Sequence, residues 1–234
     1  MPMVDMLCLA NSRKHSGRCV AGLRLDTQQW VRPVADTSDG TLFAGQYGLA
    51  DGTEPRPLDV VRLELVRPRP AAYHPEDWVI ARRSWQLRQR PASQNTLAML
   101  TEYLEIGPDL LGNSRDRLTE DEANAGVEAS LALTEPRNVT WEITRKPTGR
   151  RQTRARFRLR GTRYSLAVSD PEWEARLEDL SGGVHPRRAA ELPDSRQLLF
   201  TVSLTEPFEH KCYKLIAAVI VMPEADDPGD DIPF

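Results

Sequence analysis

Short apolar runs separated by turn signals follow one another along this chain, which predicts the strands of a sandwich or barrel rather than alternating βαβ units. Residues 3–10 (Met-Val-Asp-Met-Leu-Cys-Leu-Ala) form a first strand and polar Asn11–Gly17 a loop. Arg18–Leu25 is a second strand, Asp26–Gln29 a turn, and Trp30–Val34 a third strand. The segment Gly40–Pro57 is rich in glycine and proline, and Leu58–Val66 is a further strand. Residues 67–92 hold four prolines, six arginines and two tryptophans and admit no clean assignment.

The middle of the chain changes character. Ser93 is placed to cap a helix reaching Leu104, with Leu97, Leu100 and Leu104 on one face. Thr119-Glu120-Asp121-Glu122 has the form of a capping box and opens a short helix ending near Gly126. In the second half, Ser130–Thr134 and Asn138–Arg145 make one strand interrupted at Pro136. Thr153–Arg160 and Arg163–Ser169 are the second and third. Asp170 caps a helix with Pro171 at its first position, running to about Leu180 and stopped by Gly182-Gly183. Gln197–Leu204 and Cys212–Met222 are the fourth and fifth strands.

Three strands, a helix and two strands is the element order of the OB-fold, the five-stranded Greek-key barrel that binds oligonucleotides and oligosaccharides. The expected architecture is therefore mainly β. Two OB-like Greek-key barrels (1–92 and 127–222) are joined by a short helical bridge (93–126), and a disordered acidic C-terminal tail occupies 223–234. In the first barrel no helix is evident between the third and fourth strands.

Composition narrows the function classes. With 40% hydrophobic and 28% charged residues the chain can bury a core, which excludes a fibrous or wholly disordered protein. No apolar stretch approaches the ~20 residues of a membrane-spanning helix. The start of the sequence lacks the basic and apolar regions of a signal peptide, so a cytoplasmic location is expected. The net charge of −3 hides an asymmetry: residues 224–234 carry five acids and no base, leaving 31 basic against 29 acidic residues elsewhere. Of the basic residues 27 are arginine, the side chain whose planar fork suits phosphate. Cys8, Cys19 and Cys212 show no CxxC spacing; Cys8 and Cys19 are expected as reduced core thiols.

The densest charge lies in residues 145–163, nine basic side chains without an acid. Arg154, Arg156, Arg158 and Arg160 alternate with Ala155, Phe157 and Leu159, so the arginines share one strand face. A two-residue turn at Gly161-Thr162 would pair Phe157 with Leu166 and place Arg163 beside the ladder. Parallel guanidinium groups repel one another unless an anion lies across them, and a single-stranded nucleic-acid backbone is such an anion. The candidate nucleic-acid contacts are Lys146, Arg150 and Arg151 in the loop between the first two strands of the second barrel, and Arg154, Arg156, Arg158, Arg160 and Arg163 on the ladder. Lys211 in the loop before the last strand and Arg13 and Lys14 in the first half join them. Trp85, amid Arg82, Arg83, Arg88 and Arg90, is a candidate base-stacking platform.

No P-loop, GxSxG, HExxH or deaminase signature is present, and His15, His74, His185 and His210 lack metal-ligand spacing. No cofactor, no metal and no catalytic residue is expected. The one enzymatic constellation to set beside this is Cys19 or Cys212 with Lys14, His210 and Asp170, as in a small nucleic-acid-processing enzyme.

The chain ends Asp230-Asp231-Ile232-Pro233-Phe234. This resembles the C-terminal tip of bacterial single-stranded DNA-binding proteins, which docks helicases, nucleases and recombination mediators rather than DNA. The resemblance implies that the same five residues bind a partner enzyme, with Phe234 in an apolar pocket and the acids on a basic rim. The twelve residues from Met222 to Phe234 reach at most ~40 Å, shorter than that family's usual linker. The body is similar instead to bacterial dual-OB-domain proteins, through Leu7–Lys14, Gly17–Gly22 and Tyr213–Ala218. Together these imply a protein that binds single-stranded DNA, or RNA, and recruits replication, repair or defence enzymes. The alternative is an interaction module that mimics the tip without binding DNA.

Overall fold

The computed structural model describes residues 2–107, 109–146, 148–193 and 195–223. The acidic tail from residue 224, with its Asp230–Phe234 tip, lies outside the described residues. The chain divides into two compact units, one up to Glu102 and one from Tyr103 to Met222.

In the first unit, β1 (Met3–Lys14), β2 (Gly17–Arg24) and β3 (Trp30–Val34) are followed by a short helix α1 (Ala44–Tyr47). Then come β4 (Val60–Pro68), β5 (Asp77–Ile80), β6 (Gln86–Gln89) and α2 (Gln94–Ala98). The ring closes in the order β1-β2-β3-β5-β4-β1, with β3 and β5 parallel and the other ring pairs antiparallel. Closure depends on β1 serving two neighbours. Met3–Leu7 pair with β4 and Met6–Lys14 with β2, and a bulge between Cys8 and Ala10 turns the strand from one to the other. The stretch expected as a loop, Asn11–Gly17, is mostly strand: β1 continues to Lys14 and reverses over His15-Ser16.

The helix not evident in the sequence is α1, four residues long. Its N-terminus is held by the Phe43 amide donating to Gln46 Oε1 at 3.0 Å. The unassigned 67–92 segment supplies β5 and β6, and Trp85 with them. Trp85 is not a surface platform: only 1% is exposed, its amide donates to Gly48 O, and it packs with Tyr47 and Leu49 inside the barrel core. An indole surrounded in sequence by arginines is inside because Trp85, one residue before β6, bridges to Leu49, which sets the large apolar ring against the core. Cys8 is also core, its thiol pushed up by burial, whereas Cys19 is only half-buried.

The second unit repeats the scheme with additions. After β7 (Arg117–Thr119) and α3 (Glu120–Asn124) come β8 (Leu131–Thr134), β9 (Arg137–Arg145), β10 (Arg151–Leu159) and β11 (Thr162–Val168). Then follow α4 (Pro171–Arg176), β12 (Gly183–Pro186), β13 (Leu198–Leu204) and β14 (Lys211–Val221). The sheet runs β9-β10-β11-β14-β13-β8 with β11 and β14 parallel; β12 adds to the β9 edge and β7 to β14. β8 and β9 are the interrupted first strand. β8 pairs with the fourth strand of the set, β13, and β9 with the second, β10, and Glu135-Pro136 makes the break between them.

The capping signals are realised. Ser93 accepts from the Thr96 amide, and Thr119 and Glu122 form the reciprocal box. Asp170 Oδ1 accepts from Glu172 and Trp173 amides, while α4 stops at Arg176 rather than Leu180. The core of this unit is aromatic, with Trp141 stacked on Trp173 at 5.2 Å and Phe157 edge-on to Phe200 at 5.3 Å.

Candidate nucleic-acid interface

β10 fixes the site. Thr153, Ala155, Phe157 and Leu159 point inward and are buried, so Arg154, Arg156 and Arg158 point outward, as a period of two requires. The hairpin register differs from expectation. The turn is Arg160-Gly161, with Leu159 opposite Thr162, Phe157 opposite Tyr164 and Ala155 opposite Leu166. Both turn residues have positive φ (46° and 93°), the requirement of a type I′ turn, and Gly161 meets it without steric cost. The shift is two residues, so the arginines keep their face. Arg160 leaves the ladder for the turn.

Contacts divide the ladder. Arg151 donates to the Leu177 and Leu180 carbonyls at 2.6 and 2.8 Å, closing the end of α4. Arg154 is held by the Ser165 hydroxyl and carbonyl, and Arg156 makes a two-pronged pair with Glu142 on β9. Arg158, Arg160 and Arg163 have no ion pair or hydrogen-bonding partner among the described residues. Arg158 stands directly opposite Arg163 on one side and Arg137 on the other, a like-charge row across three strands. The expected ladder of four equal guanidinium groups is thus a tied half and an open, hairpin-end half.

The other expected contacts lie apart from this row. Lys146 and Arg150 are exposed at the opposite end of β10, in the β9–β10 loop, of which Pro147 lies outside the described residues. Lys211 is half-buried at the start of β14, which the parallel pairing with β11 brings to the hairpin end. Arg13 and Lys14 belong to the first unit, where Lys14 donates to the Asp39 carbonyl.

Sequence reasoning missed two aromatic groups at that end. The β13–β14 connection tightens over Glu209-His210, both at positive φ, and displays Phe208 with 63% of its surface exposed. On β14, Tyr213 carries the Arg117 guanidinium 5.8 Å from its ring centroid. The signal for Phe208 was a lone aromatic inside a polar turn; β7, only three residues long, gave no periodicity. Two polar anchors hold the segment before β7 in place. Lys214, 2% exposed and pushed down to about 8 by burial, donates to Asn113 O and Oδ1 at 2.7 and 2.8 Å. The Tyr164 hydroxyl accepts from the Leu110 amide at 3.1 Å.

Beside the open arginines lies a cleft of about 430 Å³, lined by Arg137, Arg158 and Arg160 together with Leu104, Glu105 and Glu135. Of the enzymatic constellation, Lys14, His210 and Asp170 have other partners. His210 bonds Glu120 at 2.7 Å, Cys212 is buried, and Asp170 caps α4 and accepts from the Val219 amide. Burial pushes the Asp170 carboxyl up to about 6. Among the described residues no group of three or more His, Cys, Asp or Glu side chains could hold a metal ion. No helix among them is long and apolar enough to cross a membrane.

Two successive five-strand arrangements, each ordered 1-2-3-5-4 with strands 3 and 5 parallel, define a double OB-fold. The chain belongs to the dual OB-containing domain family, whose profile matches residues 4–219. No curated protein matches it. A solved structure described as tetrameric p202 HIN2 aligns over 95% of this chain and 92% of that one, at 8% identity and a TM-score of 0.30, too loose a likeness to carry an argument.

Proposed function

We propose that this protein binds single-stranded nucleic acid along the β10–β11 face of its second OB unit, and that the Asp230–Phe234 tip docks a helicase, nuclease or recombination mediator. The face formed by strands 2 and 3 is where OB-folds take oligonucleotides. The observation that carries the reading is the row of arginines on that face, open at Arg158, Arg160 and Arg163. Nine residues of β10 span about 30 Å, long enough for a short run of nucleotides. Phe208 offers a ring on which a base can stack, which is sequence-tolerant because every base has a π-face.

The test is fluorescence anisotropy with a labelled thymine strand of about 30 nucleotides, for the whole chain and a chain ending at Met222, over a salt series. Salt-sensitive binding that survives removal of the tip, together with loss of partner capture, supports both halves of the reading. Absence of binding by either chain removes the nucleic-acid half and leaves the tip as the functional element.

A further inference from the structure

We propose that the cleft at the hairpin end is a base-reading pocket that selects guanine from the bound strand. The inference rests on the nucleic-acid reading above and deepens it. The cleft combines three kinds of group in about 430 Å³, within the range of small-ligand sites. Arg158 and Arg160 are cations without a partner among the described residues, suited to phosphate oxygens. Leu104, half-buried, supplies apolar surface for the face of a base. Glu105 and Glu135 supply carboxylates, which a purely phosphate-binding groove has no use for, since each opposes the approach of an anion.

The two acids are placed by backbone. Glu105 follows Leu104, which bridges to Leu133 of β8; its amide donates to Leu133 O at 2.7 Å and its Oε1 accepts from the Gly107 amide at 3.1 Å. Glu135 follows β8 directly. Its contact with Arg137 is long, 3.5 Å, to a side chain 73% exposed, so its oxygens are open to a better donor. No ion pair among the described residues joins either acid to Arg158 or Arg160, although all four line one cleft.

A carboxylate is an acceptor at both oxygens. Guanine alone among the bases presents two adjacent donors on its Watson–Crick edge, N1–H and the N2 amine. Cytosine and adenine set one amine beside a ring acceptor, which repels the second oxygen, and thymine or uracil sets one N–H between two carbonyls. Glu135 is therefore matched to guanine, with Glu105 as a second acceptor and the sugar-phosphate on Arg158 and Arg160.

The experiment compares an all-thymine strand of about ten nucleotides with strands carrying one central guanine, cytosine or adenine. It uses the full chain and its Glu135→Gln and Glu105→Gln/Glu135→Gln variants. A guanine strand bound on the order of tenfold more tightly than the thymine strand, with the advantage lost in both variants, is the expected result. Each variant is expected to bind the thymine strand at least as tightly as the parent, which also shows that it is folded. Equal affinity for the four strands overturns the pocket and leaves the phosphate face intact. A preference for cytosine or adenine, or a guanine preference that survives Glu135→Gln, overturns the assignment to this edge. Absence of binding to every strand overturns it together with the nucleic-acid reading.

Discussion

Replacing Arg158, Arg160 and Arg163 by glutamine is expected to flatten the salt dependence of binding, while replacing Arg151 and Arg154 is not. The two sets lie on the same hairpin and consist of the same residue type, but the structure gives them different work. The first three guanidinium groups have no partner among the described residues. Arg151 and Arg154 donate to the Leu177, Leu180 and Ser165 carbonyls. Each phosphate neutralised on a single strand contributes about 0.7 to the slope of log K against log salt, so losing three contacts lowers it by about 2. Between 50 and 200 mM salt that difference amounts to roughly a twentyfold smaller loss of affinity. Replacing Arg151 and Arg154 instead removes bonds that hold α4 and the β10–β11 pair, costing about 1 kcal/mol of stability for each bond lost. Anisotropy over a salt series measures the first quantity and urea unfolding the second. A slope unchanged in the triple variant, or lost in the double one, refutes the division of the ladder into open and tied halves.

Glu142→Gln releases Arg156 from its two-pronged pair and is expected to raise affinity severalfold and steepen the slope by about 0.7; weaker binding would show that Arg156 works only while paired. Phe208→Ala removes a ring that is mostly solvent-exposed. Stability by urea unfolding is expected to hold while binding weakens by about 1–3 kcal/mol, and unchanged affinity discards the stacking role. Burial raises the Asp170 carboxyl to about 6, so between its usual value and 6 the folded state binds the extra proton and stability falls as pH rises. Relative to Asp170→Asn, the parent is expected to lose about 2 kcal/mol on going from pH 4 to pH 7, and parallel unfolding curves would sink the assignment. In the first unit, Asp77→Asn weakens the 2.7 Å partner of Arg32, itself 3% exposed; a loss of about 3 kcal/mol in urea unfolding is expected, and under 1 kcal/mol would show that Glu76 alone suffices.

How much of this was legible in the sequence follows from the range of the signal. In the second OB unit β9, β10, β11, β13 and β14 have seven or more residues and α4 is capped by Asp170, so period and capping signal named these elements directly while the three-residue β7 and four-residue β12 escaped, and even a hairpin register wrong by two residues left the arginine face correct. The first unit hid its helix in four residues and two of its strands in a segment broken by proline. Trp85 was misplaced for the same reason, because its burial is decided by a long-range pairing with Leu49 and not by its basic neighbours. Periodicity also names a face without naming partners. Arg156 and Arg158 look alike along the chain, yet Glu142, fourteen residues away, distinguishes them.

That distinction extends to the two units as wholes. In the first, charge on the strands is matched within the unit. Arg18 meets Glu54, Arg24 meets Asp26, Arg62 meets Asp5, Arg90 meets Asp59, and Arg32 on the third strand is enclosed with Glu76 and Asp77. A guanidinium engaged by a carboxylate presents little net field to a phosphate, because the pair is a dipole whose potential falls off faster than that of a charge. In the second unit the corresponding second strand ends in Arg158, opposed by Arg137 and Arg163 rather than by acids. Like charges placed directly across strands are unfavourable in the free protein, and an anion laid across them relieves that cost. One OB sheet thus has its strand arginines matched by acids and the other leaves Arg158 opposed by like charge, which is the electrostatic ground for proposing the second sheet as the nucleic-acid face.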